Sequence, residues 1–432
     1  MSDNKPAAEQ VDPAQTAKSA ATSPAPATES QTVIQPKPST FARIAGGNIG
    51  LSIGAALAAF IVGGLLIAAT DPATQAASKY FFARPIDTLS AGWSAAYDAY
   101  MALLQGAIFN PNGRTFNQQL RPITETLTVA TPLIFAGLAV ALSFRAGLFN
   151  IGAQGQLILG ALVSGWVALN AGLPLAAMVP LIIVGGIVGG ALWGGIIGVL
   201  KAKTGAHEVI LSIMMNYIAA NLLVYLLKTP LFQRAGSSNP ISEKLPDTAV
   251  FPQLLGPAFR LHLGFIVAIL AVAFVWWLLN RSTVGFRLRA VGANPHAART
   301  AGIKVASGYI IVMALSGALA GLAGAAQVAG SEKVLTTGIA GSLGFDAITV
   351  ALLGRSKPVG TFFAALLFGA FRAGGVSMQV STGTSIDIVL VLQALIVLFI
   401  AAPPLVRSIF HLPDPTGKTT KKKSAQKKAV EA

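Results

Sequence analysis

The sequence predicts an all-helical, polytopic membrane protein of about ten transmembrane helices. Of its 432 residues, 53% are apolar and only 11% are charged, and the mean hydropathy is +0.66. A soluble domain carries about a quarter charged residues, so these charges cannot cover a water-facing surface. They are also clustered, which leaves uncharged runs of about 20 residues, the length a helix needs to cross the hydrocarbon layer. The period-two alternation of an outer-membrane barrel is absent, so the backbone must satisfy its hydrogen bonds inside helices.

Residues 1–40 are rich in Ala, Pro, Ser, Thr and Gln. Such a composition buries too little surface to fold, and a disordered cytoplasmic tail is expected there. The transmembrane domain is expected over residues 41–406. Its first span, 45–69, lies too far along the chain for a cleavable signal peptide and reads as an uncleaved span. Residues 70–121 mix polar and aromatic side chains; within them 93–108 is amphipathic, with Trp93, Tyr97 and Tyr100 suited to the membrane interface. Further spans are predicted at 123–144, 155–170, 175–200, 209–227 and 261–279. The last four are predicted at 308–329, 338–354, 359–373 and 386–402.

Ten spans put both termini on one side. With the termini in the cytoplasm, the inner segments hold 21 of the 31 basic residues, from Lys5 through Arg145, Lys201 and Arg289 to Lys428, and the outer ones hold 10. The positive-inside rule therefore places both termini in the cytoplasm and the chain in the cytoplasmic membrane. The basic tail, 407–432, reads as a solvated segment near anionic lipid. The net charge of +15 is thus expected to serve topology and membrane lipid. No stacking platform or basic groove motif supports nucleic-acid binding.

Residues 123–227 and 308–402 each hold four spans, in opposite orientations. A Gly-interrupted segment falls at a similar place in each, at 147–160 and 338–354. Inverted repeats with broken helices at matching positions are a transporter signature. Gly147, Gly152 and Gly155 weaken the first segment, and Asn150, Gln154 and Gln156 add uncharged donors and acceptors suited to a polyhydroxylated or nucleobase-bearing solute. The same amides could instead bond neighbouring helices. Asn216, four residues after Ser212, is the polar centre of the 209–227 span, facing either a pore or another helix. Glu208 at that span's start is favoured by the helix N-terminus and reads as structural. Asp346 follows Gly344 inside the second broken segment; its burial demands a partner that the sequence does not identify.

The basic loop 280–307 contains a capped stub. Asn294 is a good N-cap, Pro295 suits the first helical position, residues 296–301 form the helix, and Gly302 closes it as a left-handed cap. Ala297, Ala298 and Ala301 give the stub a small, smooth face for a groove on a soluble partner.

The stretch from Gly292 through Asn294, Pro295, Ala297 and Ala298 to Gly302 and Ile303 resembles the coupling segment of ABC permeases of the ribose and branched-chain amino acid superfamily. Phe144 to Gln156, His207 to Ile218 and Gly344 to Gly354 are similar to stretches of its nucleoside and simple-sugar subgroup. His207 departs from that pattern, where a small polar residue is expected. The resemblance, over about residues 120–402, implies the permease subunit of an importer for nucleosides or related small polar solutes. It also implies three partners: an ABC ATP-binding subunit that docks on the coupling segment, a second related permease in a heterodimer, and an extracytoplasmic substrate-binding lipoprotein. A simple sugar is the alternative solute. An ion-coupled secondary transporter is the alternative class, with Asp346 as its one strong acidic candidate.

No catalytic site is expected. There is no phosphate-binding G-x-x-x-x-G-K-[ST] loop, no H-E-x-x-H and no G-x-S-x-G, so ATP would be bound and hydrolysed by the partner, and the chain itself would carry no cofactor. Cysteine is absent and the four histidines lack ligand spacing, so no metal site is expected either.

Overall fold

The computed structural model describes residues 48–410. The tail expected at 1–40 lies outside the described residues, as does the tail expected at 407–432 apart from residues 407–410, which are helical. Within the described residues the chain forms fifteen α-helices and no strand beyond isolated bridges.

The first helices are α1 (Asn48–Thr70), α2 (Pro72–Ser78) and α3 (Pro85–Ala107). α1 and α2 meet at a 72° bend. Asp71 caps α2 by accepting from the Thr74 N–H at 2.8 Å, and Pro72 cannot continue the α1 ladder. α3 extends the expected amphipathic segment, burying Ala99, Ala102 and Leu103 while Trp93 and Tyr97 stay exposed. Its start packs by Gly92 on Ala68, and its Ala107 carbonyl accepts from Thr126 Oγ1 at 2.7 Å. Both its ends thus lie on the face of the bundle holding the end of α1 and the start of α4.

The first repeat unit follows as α4 (Phe116–Arg145), α5 (Ala153–Asn170), α6 (Leu175–Thr204) and α7 (Glu208–Leu226). α4 is central, with Leu133, Ile134, Phe135 and Leu138 inaccessible. Lys201 and Glu208 pair at 2.9 Å across the turn between α6 and α7, the structural role read for Glu208. α8 (Gly264–Arg281) then leads to α9 (Thr283–Ala293) and α10 (Pro295–Thr300). The second unit comprises α11 (Val305–Ala325), α12 (Leu343–Leu353), α13 (Pro358–Thr382) and α14 (Asp387–Ala401); α15 (Pro403–Phe410) closes the described chain.

Six of these helices, α4, α6, α7, α8, α11 with its continuation and α13, are long and apolar enough to cross a membrane, or eight spans if the bent pairs α1–α2 and α14–α15 each count once. The other two predicted spans correspond to α5 and α12. α5 opens with Gln154 and Gln156, which dilute its hydropathy. α12 has 11 residues, about 16 Å at 1.5 Å per residue, so it reaches only about halfway through a hydrocarbon core of about 30 Å.

The two units pack by exchange. α4, first in its unit, lies against α13, third in the other, and α11 lies against α6. The α6–α11 contact is made of glycine: a Cβ on Gly190 would come within 2.0 Å of the Gly317 carbonyl, and one on Gly321 within 2.0 Å of the Gly186 carbonyl. Small residues four apart let the two backbones touch where lipid offers no hydrophobic driving force.

Candidate translocation pathway and coupling element

Two breaks organise the interior. The first separates α4 from α5, where Gly147 takes φ +74°. The buried Asn150 holds this turn: Oδ1 accepts from the Gly152 N–H at 2.8 Å, and Nδ2 donates to Ser316 Oγ at 2.7 Å and to Gln156 Oε1 at 3.1 Å. Ser316 donates onward to the Ala139 carbonyl at 2.7 Å. From α7, Asn216 accepts from the Gly155 N–H at 2.8 Å and donates to the Ile151 carbonyl at 3.0 Å. The N–H groups freed at the start of α5 are thereby satisfied by side chains from the turn and from α7.

The second break follows α11, which widens into a π-helical turn at Ala326–Glu332 and ends at Lys333, φ +58°. A segment of bends and turns, residues 334–342, then leads to α12. The loop between α7 and α8 stitches that segment in place: the Ser242 N–H donates to the Leu335 carbonyl at 3.0 Å, and the Leu245 N–H to the Lys333 carbonyl at 3.0 Å. Gln154 joins the two breaks. Its Nε2 donates to the Gly341 carbonyl at 2.7 Å, and its Oε1 accepts from the Gly344 N–H at 2.8 Å. The first turns of α5 and α12 therefore meet inside the bundle, as the half-helices of transporters do.

Asp346, in the first turn of α12, has its partner in Arg372 of α13, at 2.6 Å. Ser342 donates to the same carboxylate oxygen at 3.0 Å and also contacts Arg372. This cluster lies on a cavity of about 1150 Å³ whose wall includes Ser342 and Arg372, Glu125 of α4, Arg260, Gln327 of the π turn and Gln393 of α14. Glu125 is paired with Arg260 at 3.2 Å. Gln393 is buried, and its Nε2 has no hydrogen-bond partner. The space exceeds the usual 300–1,000 Å³ of a small-molecule site, and these polar and charged side chains interrupt a wall that is otherwise mostly apolar.

The predicted amides lie beside this cavity in different ways. Asn150, Gln156 and Asn216 do not line this cavity; they are buried and spend their polar atoms on helix packing. Gln154 is half-buried and supports the floor, since Ser342 and Leu343, which line the cavity, lie between its two bonding partners. Arg372, Glu125, Arg260 and Gln393 were missed. The signal for Arg372 was a charge inside an otherwise apolar stretch, which needs a counter-ion. Replacing Gln154 with Leu orphans the Gly341 carbonyl and Gly344 N–H, at about 1–3 kcal/mol each if both stay dry. Uptake should fall severalfold with membrane abundance preserved, and unchanged initial uptake would show that the clamp has no functional part.

At the opposite end, α10 forms as expected. Asn294 Oδ1 accepts from the His296 and Ala297 N–H groups at 3.0 and 3.1 Å, Pro295 opens the helix, and Gly302 takes φ +79°. The loop before it is more ordered than expected, because Ser282 caps α9 and Gly285, Leu288 and Val291 form its buried stripe. One expectation reverses. Ala298 is buried against Val291 and Val305, anchoring the stub to its own protein, while Ala297 and Ala301 are exposed. The outer face is therefore Ala297, Thr300 and Ala301. Gly292 sits on the first break: a Cβ there would lie 2.6 Å from the Arg145 carbonyl oxygen and 2.8 Å from Gly147 N. Arg145 in turn donates from Nε to the Ser356 carbonyl at 2.8 Å, between α12 and α13. α9 thus touches the first break, and through Arg145 that break is bonded to the turn between α12 and α13.

Among the described residues no His, Asp or Glu cluster could hold a metal ion. Residues 123–401 match the family model described as branched-chain amino acid transport system / permease component. The chain is 39% identical to the guanosine ABC transporter permease protein NupP of Bacillus subtilis, over 74% of this chain and 90% of that one. It is 41% identical to the glucose ABC transporter permease protein TsgB13 of Haloferax volcanii, over 64% and 75%. It is 35% identical to the nucleoside ABC transporter permease protein NupB of Lactococcus lactis subsp. cremoris, over 72% and 86%. No solved structure matches it. With more than half its length matched, and carrying the multi-pass architecture just described, the chain belongs to the branched-chain amino acid transport system / permease component family of ABC transporters.

Proposed function

We propose that this protein is the permease subunit through which an ABC importer admits nucleosides. The observation that carries the reading is the similarity to the guanosine permease of Bacillus subtilis over most of both chains. The polar groups that Arg372 and Gln393 bring to the cavity support it, because ribose hydroxyls and base edges need donors and acceptors. The glucose permease relative supports a second reading, a simple sugar in the same cavity.

ATP is bound and hydrolysed in a cassette subunit seated on the exposed face of α10. α9 then passes its motion through the Gly292–Gly147 contact to the first break. The end of the bundle carrying α10 faces the cytoplasm, as do both termini, and the cavity opens toward the other side of the cytoplasmic membrane. A substrate-binding lipoprotein delivers solute there. A second, related permease completes the pathway; Bacillus subtilis has a further relative of this chain, the guanosine permease protein NupQ, at 31% identity, which supports a pair of unlike subunits.

The test is competition. Uptake of labelled guanosine by cells expressing the whole transporter should be suppressed by excess unlabelled nucleosides and not by glucose or fructose. Suppression by the sugars alone, with labelled sugar taken up instead, would favour the second reading.

A further inference from the structure

A second cleft, of about 260 Å³, lies among the end of α4, the last turns of α8, α9 and the start of α13. Arg145, Arg289 and Lys357 bring three cations to it, and no carboxylate lines it. None of the three is in an ion pair among the described residues. Arg145 spends its Nε on the Ser356 carbonyl, leaving its terminal N–H groups to point elsewhere. Asn280 adds a polar atom to the wall, since its Nδ2 is used on the Trp276 carbonyl at 2.8 Å and its Oδ1 is not.

The remaining lining is apolar: Leu279 and Pro358 are buried, and Trp276 and Val359 face outward. Trp276 is 45% exposed and Val359 is 49% exposed, on helices long and apolar enough to cross the membrane. Tryptophan at a span's end marks the headgroup level. A site with three cations inside and lipid-facing apolar residues at its mouth suits an anion that carries its own hydrocarbon. Basic pockets between spans on the cytoplasmic side take such headgroups.

We propose that this cleft holds the phosphate headgroup of an anionic phospholipid, with its acyl chains against Trp276 and Val359. Bound there, the phosphate ties α4, α9 and α13 together beside the Gly292–Gly147 contact. Its consequence for transport rests on the coupling role proposed for α9 and α10; its binding does not.

The test uses the full-length, delipidated protein in detergent. Three probes are added separately: phosphatidylglycerol, phosphatidylcholine and inorganic phosphate. Phosphatidylglycerol should raise the melting temperature by several degrees and be retained as a discrete adduct in native mass spectrometry, and the other two should do neither. The double variant Arg289→Gln, Lys357→Gln should melt with the wild type in phosphatidylcholine and need at least tenfold more phosphatidylglycerol for the same shift. The charge-preserving Lys357→Arg should keep the wild-type response, which separates lost binding from lost folding. An equal phosphatidylglycerol response in the double variant would overturn the site. A full shift with inorganic phosphate would overturn the lipid as its source.

Discussion

Arg372→Leu is expected to cost membrane abundance and nearly all uptake, while Arg372→Leu combined with Asp346→Leu should regain abundance without regaining uptake. The pair meets at 2.6 Å, with 28% of the Arg372 side chain and 19% of the Asp346 side chain accessible. Removing one partner of a buried pair costs about 3–5 kcal/mol, because the remaining charge is stranded. Partial access to the cavity lowers that to roughly 1–3 kcal/mol, since water screens what it reaches. Removing both strands nothing, and the double-mutant cycle isolates the coupling between them. Transport should not return, because Arg372 also lines the cavity and fixes Ser342 at the floor. If the single variant is as abundant as the wild type, the pair does not hold α12 against α13. If the double variant transports normally, the cluster is packing alone.

The second large effect separates two neighbouring alanines. Ala297→Arg should leave the permease as stable as before and abolish its association with the cassette subunit. Arginine is a good helix former, and position 297 faces outward. Overpacking a groove costs on the order of 1–3 kcal/mol, and a charge buried in the wrong place adds to that. Ala298→Arg should act differently. Its side chain must enter the space between Val291 and Val305, so it should free α10 from α9 and α11 and make the loop sensitive to protease. Retained cassette association and normal uptake in Ala297→Arg would remove α10 from the coupling role. Protease resistance in Ala298→Arg would contradict the packing described for the stub.

These contrasts mark where sequence reasoning reached and where it stopped. The long spans were legible because hydropathy over about 20 residues is a local signal. The stub was legible for the same reason: Asn294, Pro295 and Gly302 act on their nearest backbone neighbours. Which side of it faces inward was not, because six residues make under two turns and the buried contact depends on Val291 and Val305 in flanking helices. α9 escaped notice because Arg287 and Arg289 interrupt the apolar stripe that Leu288 and Val291 continue. An amide on a broken helix looks the same whether it meets solute or another helix. The partner that Asn150 meets, Ser316, is 166 residues away. Arg372, the partner Asp346 required, lies 26 residues on in a separate helix.

The central claim is that ATP in a partner, and no ion gradient, drives solute through this permease. The most direct measurement places the whole transporter in sealed proteoliposomes, with its binding protein and labelled guanosine on one side and ATP on the side of α10. Uptake should require ATP, persist when ionophores collapse the proton and sodium gradients, and vanish in Ala297→Arg. Uptake that proceeds without ATP and stops with the ionophores would contradict the account, and would return the Asp346–Arg372 pair to the role of an ion-coupling site.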